Sequence, residues 1–180
     1  MKVLVFGNGW LGNKIADHVD GRMSKNDILD TETVMTELLD YRPDVVINAA
    51  GKCGSPSIDW CEANETNKRV TTYVNAFAPS ILYRTVGAVS GYLEKGVQFV
   101  HLSSGCLWEW GDDLSETEVP NPPSHYSTTK AEGERRLPHV TSLILRLRMP
   151  VDKEPNPRNL ITKLVGYEGV LDEPNSVTVI

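Results

Sequence analysis

The stretch KVLVFGNGWLG, residues 2–12, decides the fold of this chain. Lys2–Phe6 is a short apolar run with the composition of a buried strand, and Leu11–Val19 follows with helical spacing. Between them lie glycines in the pattern G-x-G-x-x-G. A strand, a glycine turn and a helix in this order are typical of a dinucleotide site, because the glycines let the backbone approach a pyrophosphate and the helix N-terminus offers free N–H groups. The predicted contacts are Gly7, Asn8, Gly9, Trp10, Leu11 and Gly12.

Strand-like runs and helical patterns alternate along the rest of the chain. This alternation predicts the α/β class, with a Rossmann-type, doubly wound parallel sheet and helices on both faces. Residues 1–150 are expected to form this NAD(P)-binding domain. The segment Gly21–Asp27 leaves little room for a second strand. The strands are predicted at Lys2–Phe6, Asp44–Asn48, Val97–Leu102 and Ser142–Leu147, and the helices at Leu11–Val19, Thr31–Tyr41, Thr66–Lys95 (with a break before Pro79) and Ser124–Leu137.

Tyr126 and Lys130 are the strongest candidates for chemistry. Four residues are about one helical turn, so both side chains project from one face of a helix. A lysine ammonium beside a phenol is expected to lower the tyrosine pKa from its usual value near 10. Ser103 and Ser104, at the end of the preceding apolar run, can supply the hydroxyl that holds a substrate carbonyl. The set predicts carbonyl reduction by hydride transfer from a nicotinamide.

The choice of cofactor depends on the segment after the first helix. It lacks the acidic residue that usually holds an adenosine ribose. Arg22 or Lys25 is expected to face a ribose 2′-phosphate instead, which favours NADPH, with NADH as the alternative. Further cofactor contacts are predicted where the second strand ends, at Asn48, Ala49, Ala50 and Gly51.

Composition excludes several other classes of protein. The 180 residues correspond to about one domain, and the net charge of −6 argues against nucleic acid or an anionic membrane surface as partner. Apolar runs such as Val45–Ile47 are far too short to span a membrane. The three cysteines have no C-x-x-C spacing, so neither a disulfide framework nor a metal site is indicated, and a cytoplasmic location is expected.

Several motifs give the chain a resemblance that covers nearly its whole length. Pro43–Ala50 and Val74–Ala76 are similar to stretches of extended short-chain dehydrogenase/reductases of the dTDP-4-dehydrorhamnose reductase type. Ile58–Glu62, Gly105–Glu109 and Arg146–Pro150, the last followed by Asn156–Lys163, resemble the bifunctional nucleotide-rhamnose synthases, which are 3,5-epimerase/4-reductases. The resemblance implies conversion of UDP- or dTDP-4-keto-6-deoxyglucose to the L-rhamnose nucleotide.

The resemblance also assigns roles to individual residues. Ser104 would orient the C4 carbonyl, with Ser103 as the nearby alternative in contact with substrate, and Tyr126 would protonate the C4 oxygen. Cys106 and Lys163 would be the acid/base pair of the epimerisation. Lys130 would tune Tyr126 and hold the nicotinamide ribose, Asn75 would contact the cofactor, and Arg158 and Asn159 would bind the substrate diphosphate. Cys53 and Cys61 are interpreted as packing residues.

Two alternatives to this function remain open. A plain 4-ketoreductase needs neither Cys106 nor Lys163, and a nucleotide-binding subunit without catalysis needs none of the catalytic set. The resemblance further implies a homodimer, paired through helices that flank the sheet. Enzymes of this type continue beyond the position of Ile180, so residues 151–180 are expected to begin an incomplete sugar-nucleotide region.

Overall fold

The computed structural model describes residues 1–55, 57–109 and 114–167, and the backbone of residues 178 and 179. Residues 168–177 and 180 of the predicted sugar-nucleotide region lie outside this part. Five parallel strands form the central sheet in the order β2-β1-β3-β4-β5, which confirms the Rossmann-type prediction. The strands are β1 (Val3–Phe6), β2 (Arg22–Met23), β3 (Val45–Asn48), β4 (Gln98–Ser104) and β5 (Ser142–Leu147), and a separate parallel pair joins β6 (Pro150–Val151) to β7 (Thr178–Val179).

The short strand β2 is a correction to the sequence prediction, which left little room for it. Arg22 and Met23 pair in parallel with Leu4 and Val5 of β1. Two residues are enough for an edge strand, but they are too few to give an alternating pattern that sequence reading can detect.

The helices have bounds close to those predicted, and most begin at a polar capping residue. Asp30 caps α2, Asn64 caps α3, Ser124 caps α5 and Asn159 caps α6, each accepting a hydrogen bond from a backbone N–H of the first turn. Helix α1 differs, because Gly9 at its N-cap has no side chain to offer. The helices are α1 (Trp10–His18), α2 (Thr31–Tyr41), α3 (Glu65–Thr72), α4 (Ala78–Tyr92), α5 (His125–Arg135) and α6 (Leu160–Val165).

The core lies on both faces of the sheet. Leu4 and Phe6 of β1 belong to the apolar cluster that also contains side chains of α2 and α4, whereas Val3 and Val5 belong to the cluster that contains Ala16 of α1. Alternate residues of one strand therefore face opposite layers, as a doubly wound sheet requires. Within the described residues, none of the helices has both the length and the hydropathy needed to cross a membrane.

The predicted break before Pro79 is instead a π-helical turn, Tyr73–Phe77, which joins α3 directly to α4. Pro79 has no N–H, so it cannot donate the α-helical hydrogen bond to the carbonyl of Asn75 four residues earlier. Helix α5 passes against this carbonyl at Gly133. A β-carbon added at Gly133 would overlap the Asn75 oxygen, so only glycine permits this approach.

Gly133→Ala is therefore expected to lower the free energy of unfolding by about 1–3 kcal/mol, because α5 must move away from the π-helical turn. Gly87→Ala is the matched control. Gly87 is exposed in α4 with no atom near its added β-carbon, and alanine there should be neutral or stabilise by about 0.5–1 kcal/mol. Urea denaturation of both variants measures the difference, and equal stabilities would contradict the packing argument.

Candidate active site

The glycine turn after β1 is held in a compact form by two close approaches. Gly7 has φ +99°, and a side chain there would overlap the backbone of Ala49 and Ala50. A side chain at Gly12 would overlap the carbonyl of Gly7. The Asn13 amide donates to the carbonyls of Asn8 (2.8 Å) and Gly9 (2.9 Å), which ties the turn to α1. The uncapped N-terminus of α1 is thereby presented to a ligand.

A groove of about 570 Å³ runs along this turn at the carboxyl ends of β1 and β3. Open parallel sheets bind ligands at such a position, where the strand order reverses. The groove is lined by Gly7, Asn8, Gly9, Ser24, Lys25, Asn26, Asp27, Ile28, Leu29, Ala49, Ala50, Gly51, Lys52 and Val74.

Arg22 was expected to face a ribose 2′-phosphate, but its side chain contacts other residues of the protein instead. Its guanidinium pairs with Glu37 of α2 at 3.3 Å and lies over the ring of Tyr41, 5.0 Å from the centroid. It is not among the residues that line the groove, whereas Lys25 is. Of the two cations considered from the sequence, only Lys25 lines the groove.

Asn48 shapes the loop after β3 from within the core. Its Oδ1 accepts a hydrogen bond from the N–H of Ala50 (3.1 Å), and its Nδ2 lies 3.2 Å from Nδ1 of His101. Burial, together with the charge of Lys130, holds the pKa of His101 well below its usual range, so the ring is neutral. With Nδ1 accepting from Asn48, the ring proton is assigned to Nε2. Asn48 therefore acts on the groove by fixing Ala50.

Asn75 has a similar structural role on the opposite side of this loop. Its side chain accepts from the N–H of Lys52 and donates to the Lys52 carbonyl, both at 2.8 Å, and it also donates to Thr129 of α5 at 3.2 Å. The residue is buried in the π-helical turn. It thus fixes the backbone next to Gly51 and joins that loop to α5, although the resemblance suggested direct contact with a cofactor.

Ser104, Tyr126 and Lys130 meet at the carboxyl end of β4. The Tyr126 side chain lies close enough to Ser104 for the serine to act on its pKa, and Ser104 Oγ accepts from the N–H of Cys106 at 3.1 Å. Lys130 lies one turn further along α5 and is buried, with Nζ donating to the carbonyl of Leu102 at 3.1 Å. A β-carbon added at Gly51 would stand 3.2 Å from this Nζ, so the ammonium lies beside Gly51, which lines the groove.

The pKa values of this group differ in one respect from the sequence expectation. Burial raises the pKa of Tyr126 to about 12, although the hydrogen bond from Ser104 acts in the opposite direction. The lowering by Lys130 that the sequence predicted is wrong, because burial dominates and a charged phenolate is unfavourable away from water. Burial also lowers the pKa of Lys130 to about 8, opposed by the negative charges of Cys53 and Glu134. Tyr126 therefore keeps its proton at neutral pH and can serve as an acid.

All three cysteines lie near Tyr126, since the charge of each would raise its pKa. Cys106 is half-buried just beyond Ser104, and Cys61 is buried, with a pKa raised by that burial. Cys53 was expected to be a packing residue, and the structure adds a contact between its Sγ and Nη1 of Arg158. The sequence feature that could have indicated a role for Cys53 at the site is its position in the loop after a parallel strand, where ligand-binding residues gather.

Three further candidates lie apart from this group. Ser103 is buried on the sheet face that also carries His101, and its Oγ has no hydrogen-bond partner among the described residues. Asn159 is buried with its amide donating to the carbonyls of Asp152 and Glu154, so no donor remains for a diphosphate. Lys163 is exposed on α6, and its ammonium makes no hydrogen bond or ion pair to any described residue.

Within the described ranges, no group of three or more His, Cys, Asp or Glu side chains has the arrangement of a metal site. The chemistry at this edge of the sheet thus falls to the serine, tyrosine, lysine and cysteine side chains and to a ligand in the groove. A glycine turn at β1 and a Ser–Tyr–Lys group at β4 are the arrangement typical of NAD(P)-dependent oxidoreductases of the short-chain dehydrogenase/reductase type.

Comparison with known proteins gives the family. The sequence profile of the RmlD substrate binding domain matches residues 1–168, and the chain belongs to this family. It is 30% identical, over 98% of its length, to the bifunctional dTDP-4-dehydrorhamnose 3,5-epimerase/dTDP-4-dehydrorhamnose reductase of Arabidopsis thaliana, of which it spans 62%. The resemblance stated from the motifs is confirmed.

Solved structures agree with this placement. The L780 UDP-rhamnose synthase from Acanthamoeba polyphaga mimivirus superimposes with a TM-score of 0.83 at 27% identity, covering 99% of this chain and 66% of that one. The dTDP-4-dehydrorhamnose reductase of Bacillus anthracis, in complex with NADP, has a TM-score of 0.71 at 19% identity and covers 92% of this chain and 58% of that one. The latter likeness establishes the fold alone.

The lowered pKa of Lys130 makes a prediction for stability without added ligand. Between about pH 8 and pH 10 the folded lysine has lost its proton while the unfolded one keeps it, so the free energy of unfolding rises with pH. From about pH 7.5 to 9.5 the parent should gain about 2 kcal/mol relative to Lys130→Met, which cannot titrate. Urea denaturation across this range measures the gain. Parallel pH profiles would show that Lys130 is not desolvated as described.

Proposed function

We propose that this chain reduces the 4-keto group of a UDP- or dTDP-linked 6-deoxyhexose with NADPH, and that it also catalyses epimerisation at C3 and C5. The observation that supports reduction most directly is the proximity of Tyr126 to Ser104, with Lys130 one helical turn further along α5 and beside Gly51 of the cofactor groove. The relatives that share most of the chain are named as rhamnose-pathway epimerases and reductases. Because the chain spans only part of their length, its activity alone is part of the proposal.

The groove fits a dinucleotide. A pyrophosphate would lie on the uncapped N-terminus of α1, against the backbone of Gly7–Gly9. Glycine is required at positions 7 and 12, because a side chain at either would overlap neighbouring backbone atoms. Lys25 is the cation available for a ribose 2′-phosphate, which supports NADPH. The nicotinamide ribose would lie over Gly51 and Lys130. When bound, this cofactor supplies the hydride.

The chain's own residues would manage the proton and the charge on oxygen. The Ser104 hydroxyl orients the C4 carbonyl oxygen by a hydrogen bond and stabilises the negative charge that develops there. Tyr126, neutral because its pKa is raised to about 12, donates its proton to the same oxygen. The Lys130 ammonium, which donates to the Leu102 carbonyl at 3.1 Å and lies beside Gly51, would hold the nicotinamide ribose.

Epimerisation requires an acid/base group at the carbons next to the ketone. Cys106 is the candidate, because it lies two residues after Ser104, its N–H donates to Ser104 Oγ, and a charge on it would act on Tyr126. Lys163, the proposed partner base, is exposed and makes no hydrogen bond or ion pair to this group among the described residues. That observation favours the second candidate function, a plain 4-ketoreductase that acts on sugar already epimerised.

Two further proposals concern assembly and substrate binding. We propose a homodimer that forms through the exposed apolar side chains of Val70, Tyr73 and Phe77 on α3 and the π-helical turn. Residues 151–180 are proposed to begin the sugar-nucleotide region, with Arg158 as the contact to the diphosphate, because its planar guanidinium pairs with phosphate oxygens.

Tyr126→Phe is expected to lower the rate of 4-keto reduction by about 10²–10⁴-fold, the usual contribution of a positioned general acid. The dissociation constant for NADPH should stay within a few-fold of the parent's, because the phenol acts on the substrate oxygen. Stopped-flow NADPH oxidation and calorimetry measure the two quantities. Tyr92→Phe is the matched control, since Tyr92 is 80% exposed on α4. Near-normal turnover in Tyr126→Phe would remove the tyrosine as the acid.

Cys106→Ser separates a bifunctional enzyme from a plain reductase. In deuterated water without NADPH, the parent should introduce deuterium at C3 and C5 of the 4-keto sugar, and the variant should not, because a serine hydroxyl is a far weaker acid than a thiol. NMR of the recovered sugar measures the exchange.

The same variant should still reduce a pre-epimerised keto sugar, which serves as the control for an intact reductase group. Full exchange in Cys106→Ser would exclude the cysteine from the mechanism. An absence of exchange in the parent, with reduction intact, would support the plain reductase.

A further inference from the structure

Lys14 in α1 forms an ion pair across to the segment that follows β5. Its ammonium lies 2.7 Å from the carboxylate of Asp152 and 2.8 Å from that of Glu154. The hydrogen bonds to these carboxylates raise the pKa of Lys14 to about 12. Helix α1 begins at the glycine turn of the cofactor groove, so this contact joins the groove to residues 152–159.

The two carboxylates differ in what they need from Lys14. The Glu154 side chain is 65% exposed, so water can replace the lysine at little cost. The Asp152 side chain is only 4% exposed. A buried carboxylate that loses its counter-charge must either take up a proton or move into water. Movement of Asp152 would carry the neighbouring backbone with it.

Hydrogen bonds of Asn159 transmit the position of Asp152 to the end of the segment. Its Nδ2 donates to the carbonyl of Asp152 at 2.7 Å and to that of Glu154 at 2.9 Å, while its Oδ1 caps α6 at the N–H of Ile161. The N–H of Arg158 donates to Oδ1 of Asn156 at 2.9 Å. Residues 152–159 thus form one hydrogen-bonded unit that starts at Lys14 and ends at Arg158.

Arg158 reaches from this unit to the reductase group. Its Nη1 contacts Sγ of Cys53, and Cys53 is close enough to Tyr126 and Lys130 for its charge to influence both. The guanidinium is otherwise exposed, which leaves its remaining N–H groups accessible to a ligand at this edge of the sheet.

We propose that Lys14 is a positioning residue, which holds the segment 152–159 through Asp152 so that Arg158 stands beside Cys53 and can receive the diphosphate of the nucleotide sugar. The assignment of the diphosphate rests on the proposed function; the position of Arg158 does not. Because α1 carries the cofactor turn at one end and Lys14 one turn later, the same helix sets both halves of the site.

The rate of Cys53 alkylation by iodoacetamide, followed by peptide mass spectrometry, tests the positioning without any substrate. Arg158→Ala should change this rate by about two-fold or more, since it removes a charged group in contact with the thiol. Lys14→Met should change it in the same direction and should have no further effect in the Arg158→Ala background. Lys14→Arg should retain the parental rate. The rate at buried Cys61 must stay constant, which excludes general unfolding.

A second variant tests the cause. In Lys14→Met/Asp152→Asn the buried side chain at position 152 is uncharged and needs no counter-charge, so the segment should keep its position. The rate of Cys53 alkylation should therefore return toward the parental value. Lys95→Met is the matched control, because Lys95 pairs with Asp44 at 2.8 Å at the opposite, amino-terminal end of the strands. It should leave the Cys53 rate unchanged.

Calorimetry with UDP, in the presence of NADPH, tests the ligand. Lys14→Met should raise the dissociation constant for UDP by about ten-fold and that for NADPH by less than about two-fold, with recovery in Lys14→Arg. If the parent bound no UDP, the proposed substrate class would fail while the Cys53 rates still decided the role of Lys14. A Cys53 rate that is the same in the parent and in Lys14→Met, or in the parent and in Arg158→Ala, would overturn the positioning proposal.

Discussion

The contact between Gly133 and the carbonyl of Asn75 sets how closely α5 approaches the rest of the fold. Pro79 diverts the helical hydrogen bonds there into a π-helical turn, and the missing side chain at Gly133 lets α5 pass directly over it. Because α5 carries Tyr126 and Lys130, this spacing decides whether the phenol reaches Ser104 on β4. The amide of Asn75 then extends the same contact to Lys52, beside the groove. One backbone approach thus aligns helix α5, the end of β4 and the loop after β3.

Burial determines the chemistry of the groups that this packing brings together. It lowers the pKa of Lys130 to about 8, keeps His101 neutral and raises the pKa of Tyr126 to about 12. A neutral phenol is suited to donating a proton to a carbonyl oxygen that gains charge during reduction. The same features are less suited to a resting base, which favours the reduction that we propose for the Ser–Tyr–Lys group.

The parts of the fold that follow from periodicity could be predicted from the sequence, and so could residues that share one local element. Lys2–Phe6 and the glycine turn indicated the sheet, and the one-turn spacing of Tyr126 and Lys130 placed both on one face of α5. Properties that depend on distant partners could not be predicted. The pKa of Tyr126 depends on how deeply α5 is buried, the capping role of Asn159 depends on the path of residues 152–159, and Arg22 is turned away from the groove by Glu37. The two-residue strand β2 was too short to have a pattern at all.

The central claim is that hydride from a nicotinamide in the groove reaches a C4 carbonyl held by Ser104 and Tyr126. The most direct measurement uses NADPH that carries deuterium at the transferable position, incubated with the protein and UDP-4-keto-6-deoxyglucose, or with the keto sugar already epimerised, and then NMR of the sugar. Deuterium bound to C4 of the product is the predicted result, and Tyr126→Phe should show none. Failure of the parent to place deuterium at C4 of either keto sugar, in a sample that binds NADPH, would contradict the account.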